Sequence, residues 1–146
     1  MARLYEAGKA GVRIRIIARS VCSLVAGVKG LSENIEAISI VDRLLEHARV
    51  FVFGSGLAAR IFLSSADLMP RNLDFRVEVA WPVYNERLKQ ELLDILELQW
   101  QDNTKARVLN RAQSNRYRRS AGPPVRAQEA IGAYLALAGK RPAAPA

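Results

Sequence analysis

Histidine and cysteine are nearly absent from this sequence, and negative charge is outnumbered. One histidine, His47, and one cysteine, Cys22, occur in 146 residues, and 14 acidic residues stand against 22 basic ones. A lone cysteine cannot close a disulfide within the chain, so a reducing, cytoplasmic setting is expected. Long apolar runs are missing too. The stretches "VFVF" and "SLVAGV" fall far short of an integral membrane segment, and "MARLYEAGKAGVRIR" lacks the apolar centre of a signal peptide. With His47 alone, proton chemistry near neutral pH has a single side chain of suitable unperturbed pKa.

What is present is a soluble globular balance, half apolar and a quarter charged, in a length that suits one ordinary domain. We expect that domain over 1–138 and a flexible tail over 139–146. The net charge of +8 points to an anionic partner. From Lys105 to Arg119 there are six basic residues and no acidic one; by itself such a run reads as a solvated loop.

The pattern along the chain is α/β. "ARLYEAGKAG" reads as the end of a helix stopped at Gly11, and "VRIRIIA" alternates as a strand does. A helix feeding a strand so early suggests a β-α-β unit whose first strand lies upstream of Met1. A loop with glycines at 27 and 30 leads to a second strand, "IEAISIV". "ARVFVF" and "RIFLSS" flank the turn "GSGLAA", and "RVEVAWPV" reads as a strand ending at Pro82. "NERLKQELLDILELQW" sets Leu88, Leu92, Ile95, Leu96 and Trp100 on one helical stripe behind an Asn85 N-cap. "PPVRAQEAIGAYLALA" is a further helix with proline at its start.

One cluster carries chemistry. Around "EHARVFVF" and "SSADLMPRNLDFRVEV" gather His47, Arg49, Ser64, Ser65, Asp67, Arg71, Asn72 and Arg76. Guanidinium forks match phosphoryl oxygens, small hydroxyls donate to them, and an imidazole moves a proton. The strand "VRIRIIA" and the strand after His47 are expected to be neighbours in one sheet, bringing Arg19 and His47 into one pocket.

The segments "LYEAGKAGVRIRIIARSVCSL", "GVKGLSENIEAISIV", "RLLEHARVFVF" and "SSADLMPRNLDFRVEV", with "DNTKAR" and "PVRAQEA" beyond them, resemble the C-terminal part of the larger polyphosphate kinase family. The likeness runs from Leu4 to about Leu137. It implies a phospholipase-D-like domain with a mixed β-sheet flanked by helices. It also implies an enzyme that moves the terminal phosphate of ATP reversibly to inorganic polyphosphate, with Mg²⁺, through a phosphohistidine on a preceding domain. His47 matches the second histidine of that site, at the nucleotide, and Arg19 matches an arginine on the nucleotide phosphates. Arg49, Ser64, Ser65, Arg71, Asn72 and Arg76 are candidate phosphate or polyphosphate contacts. No metal ligand is expected in this chain. ATP or ADP, polyphosphate, the missing upstream domains and further copies in a homo-oligomer are the implied partners, and the chain alone is expected to be inactive.

The chain departs from the pattern at Val25 and Ala26, where the family has arginine and proline, and at Leu68 and Phe75, where it has tryptophan and arginine. These departures, with the start inside a structural unit, suggest a truncated product or a split enzyme. A non-enzymatic basic module binding polyphosphate or nucleic acid is the alternative. A nuclease or phospholipase of the same fold, needing a second histidine from a symmetric dimer, is more distant.

Overall fold

The computed structural model describes residues 1–138, so the tail expected at 139–146 lies outside the described residues. The chain divides into two compact units, Met1–Leu45 with Leu98 onward, and Glu46–Glu97.

The first unit opens with helix α1, Ala2–Lys9, which ends where Gly11 takes φ +91°. Strand β1, Ile14–Ala18, pairs in parallel with β2, Ile35–Ser39, from Ile14 opposite Ile35 to Ala18 opposite Ser39. The other edge of β2 is taken by a two-residue antiparallel strand, β6, Arg107–Val108. The sheet is therefore mixed, in the order β1-β2-β6. Both faces of β2 are covered, which is why its sequence is mostly apolar rather than strictly alternating. Ile35 and Ala37 pack with Leu24, Ala26 and the α1 residues Leu4 and Tyr5. Ile38 and Ile40 pack with Trp100, Ala106 and Ala127. Gly8 lets α1 approach closely, because a Cβ there would lie 3.1 Å from Ile35 Cγ1. Tyr5 Oη accepts from Val25 N at 2.8 Å and Asn34 Nδ2 donates to Gly8 O at 2.9 Å, so the loop before β2 is tied back to the helix.

The second unit holds an antiparallel sheet in the order β3-β4-β5. Strand β3, Val50–Phe53, and β4, Arg60–Ser64, are joined through the expected Gly-rich turn, and β5, Ala80–Val83, pairs with β4. A short helix, α2, Pro70–Leu73, lies between β4 and β5. Helix α3, Glu86–Gln101, begins at the expected cap, where Asn85 Oδ1 accepts from Leu88 N at 3.1 Å. Helix α4, Ala127–Ala138, closes the described chain in the first unit.

Four expectations are corrected. β1 and β3 belong to different sheets: β1 pairs with β2, and β3 pairs with β4 in the antiparallel hairpin set by the short turn between them. Pro82 lies inside β5, opposite Phe62, rather than ending the strand; at a sheet edge its missing N–H is tolerated. The prolines at 123 and 124 precede α4, whose first residue is Ala127. The basic run is not a plain loop, since β6 and a bridge between Arg107 and Tyr117 fold it back on itself.

Candidate functional site

In the second unit the clustered residues meet at one end of the β3-β4 pair. His47 is exposed just before β3, and its carbonyl accepts from Arg49 Nη1 at 2.9 Å. Arg49 Nε also donates to Asp67 Oδ1 at 2.9 Å, with both side chains about a quarter exposed (23% and 24%). The hydrogen bond donated to Asp67 is the main reason the guanidinium holds its proton more tightly than usual, and Glu78 adds to it. Arg49 O accepts from Ser64 N at 2.9 Å, which fixes the arginine's backbone to the end of β4.

Glu78, which the sequence did not single out, organises the other side of the cluster. Its Oε2 accepts from Ser65 Oγ and its Oε1 from Asn72 Nδ2 at 3.0 Å. Ser65 Oγ in turn accepts from Val79 N at 3.0 Å, so the hydroxyl bridges a carboxylate and the chain before β5. Asn72 is 3% exposed, and its buried Oδ1 has no hydrogen-bond partner among the described residues. Ser64 Oγ accepts from Ala66 N at 3.0 Å. Arg71, on α2, and Arg76 are exposed. The only sequence signal for Glu78 was its position in "RVEV", between apolar residues on the opposite face of an extended segment.

Arg19 directly follows β1 in the first unit. It thus stands at the C-terminal end of a parallel strand, the end at which open α/β sheets collect ligands. The structure gathers Arg49, Ser64, Ser65, Asp67, Asn72 and Glu78 within one unit, while Arg19 belongs to the other.

The first unit is secured by a separate polar centre. Asp102 is fully buried (0% exposed); its Oδ1 accepts from the N–H groups of Thr104, Lys105 and Ala106 at 2.9, 2.6 and 2.9 Å, and its Oδ2 from Ala127 N at 2.8 Å. Burial pushes its pKa up, but the four N–H donors outweigh that and hold it below the usual carboxylate value. Arg126 forks onto Asp42 with contacts of 2.7 and 2.6 Å, and this bond lowers the Asp42 pKa.

A family model described as polyphosphate kinase C-terminal domain 2 matches residues 1–128. The chain belongs to the polyphosphate kinase family. It is 48% identical over 134 residues to a polyphosphate kinase of Escherichia coli (strain K12), a match covering 91% of this chain and 20% of that protein. To a polyphosphate kinase of Vibrio cholerae serotype O1 it is 52% identical over 134 residues, covering 91% and 19%. The crystal structure of polyphosphate kinase from Porphyromonas gingivalis matches it with a TM-score of 0.89 at 43% identity, over 94% of this chain and 21% of that one. The chain therefore spans about one fifth of the length of these polyphosphate kinases.

Proposed function

We propose that this chain is the nucleotide-side C-terminal portion of a polyphosphate kinase, with residues 1–138 forming its phospholipase-D-like domain. The reaction is reversible transfer of the terminal phosphate of ATP to inorganic polyphosphate. The observation that carries the proposal is the family match over 1–128 together with the fold shared with a solved polyphosphate kinase at 43% identity.

In this reading Arg19 binds the nucleotide phosphates and His47 serves the transferred phosphoryl group as proton donor or acceptor. Arg49 supplies fixed positive charge two residues from His47; Asp67 and the carbonyl of His47 already orient its guanidinium. Arg71 and Arg76 offer exposed cations to phosphate oxygens and Ser64 offers a hydroxyl, while Ser65 and Asn72, whose donors go to Glu78, hold the cluster in shape. Phosphoryl transfer needs alignment and charge neutralisation more than covalent work from the protein, and this set supplies both. Mg²⁺ is part of the proposed reaction. Among the described residues no three His, Cys, Asp or Glu side chains gather as a metal site requires, so no ligand is assigned to it here.

The nucleophile that carries the phosphohistidine belongs, on this reading, to the upstream portion, which also completes the partner set together with further copies in a homo-oligomer. A cytoplasmic location accompanies the proposal; among the described residues no helix is long and apolar enough to cross a membrane. The test is incubation of the chain with γ-labelled ATP and Mg²⁺. The expected result is no stoichiometric acid-labile, base-stable label and no polyphosphate. Label on the wild-type chain that is lost in His47→Ala would overturn the assignment and make His47 the nucleophile.

A further inference from the structure

The basic segment in the first unit is built as a hairpin. β6 is bridged to Tyr117, Val108 N donates to Arg116 O at 3.0 Å, and Arg118 N donates to Ala106 O at 2.7 Å. At the tip, Gln113 and Asn115 take φ +46° and +50°. Side chains alternate across such a ribbon. Ala106 is fully buried (0%), and Arg118 points the same way, its guanidinium 5.3 Å from the ring centre of the buried Trp100. Arg107, Tyr117 and Arg119 therefore share the opposite face.

On that face the guanidinium of Arg107 lies 3.9 Å from the centre of the Tyr117 ring and that of Arg119 5.3 Å from it. Both cations are pinned by backbone carbonyls: Arg107 Nη1 donates to Asn115 O at 2.6 Å and Arg119 Nη1 to Asn103 O at 3.3 Å. Tyr117 keeps 40% of its surface exposed. Between Asp102 and Glu129 the sequence has no acidic residue. Among the described residues, neither Arg107 nor Arg119 has a carboxylate at ion-pair distance.

We propose that the Arg107, Tyr117 and Arg119 face of this hairpin binds single-stranded nucleic acid, a function beyond the kinase reading. Charge alone would serve any polyanion. The aromatic ring and the flat guanidinium stacked on it serve a ligand that has bases as well as phosphates, because every unpaired base offers a π-face to such a platform. The fixed arginines then meet the backbone phosphates with little ordering cost.

The test uses the full chain, a short fluorescein-labelled oligouridylate, and inorganic polyphosphate as competitor. The wild-type chain should bind the oligonucleotide with an affinity that falls steeply with salt. Tyr117→Leu and Arg107→Lys should each weaken it about tenfold, the size expected for one lost stacking partner, while Tyr117→Phe binds as wild type. Polyphosphate affinity should be unchanged in Tyr117→Leu. Variants are compared after thermal melts show them as folded as the parent chain, and Tyr117→Phe and Arg107→Lys keep ring and charge respectively. Absence of oligonucleotide binding by the wild type, or equal losses for oligonucleotide and polyphosphate in Tyr117→Leu, would overturn the proposal.

Discussion

Asp102 carries a buried negative charge because four backbone N–H groups converge on it, three from its own turn and one from the start of α4. Asp102→Ala removes the acceptor and strands those donors, so we expect a loss of roughly 3 kcal/mol or more in urea unfolding. Asp102 and Asp42 both have pKa values lowered in the fold, below the value of about 3.9 for an unfolded aspartate. As the pH falls, the unfolded chain takes up these protons first. Their contribution to stability is thus complete above that pH and declines below it, toward the folded pKa values. Unfolding midpoints measured from neutral pH down to pH ~3 should fall in the acid limb, and the fall should be smaller in Asp42→Asn. A flat profile would contradict the account. Residues of this kind were poorly legible in the sequence. "DNTKAR" could be quoted for its likeness to a family, but nothing in the string says that Asp102 would reach across to Ala127, 25 positions away. Glu78 was hidden in the same way, since its partners Ser65 and Asn72 reach it through the fold.

At the scale of elements, periodicity and caps were legible where structure is local. The strands around "IRIIA", "IEAIS", "VFVF" and "RIFLS" and the helix behind Asn85 follow from alternation, turn residues and an N-cap. Asn85→Ala removes the side-chain acceptor for Leu88 N and should cost about 1 kcal/mol. Chemical denaturation measures this directly, and Asn85→Ser should recover most of it. Strand pairing was less legible. β6 has two residues, too few to show a period, yet it pairs with β2, while β3 pairs with β4 in a second sheet of the described residues. A helical stripe of this kind predicts core, but in α3 only Trp100 is buried; Leu88 is 44% exposed, and Leu92, Ile95 and Leu96 are half-buried.

At the scale of the molecule, the strings "GLSENI" and "SADLMPRNLDFRVEV" were specific enough to name the family before any coordinates, and the match over 1–128 agrees. The proposed division of labour rests on that resemblance alone. One histidine cannot be both the nucleophile and its acid-base partner, and the chain spans about one fifth of its relatives. The central claim is that His47 completes a site whose nucleophile lies on another portion of the enzyme. The most direct measurement mixes this chain with a separately made upstream portion of a polyphosphate kinase and follows polyphosphate formed from γ-labelled ATP with Mg²⁺. The account predicts synthesis by the mixture, none by either part alone, and none when the chain carries His47→Ala. Synthesis by the mixture that is undiminished with His47→Ala would contradict it.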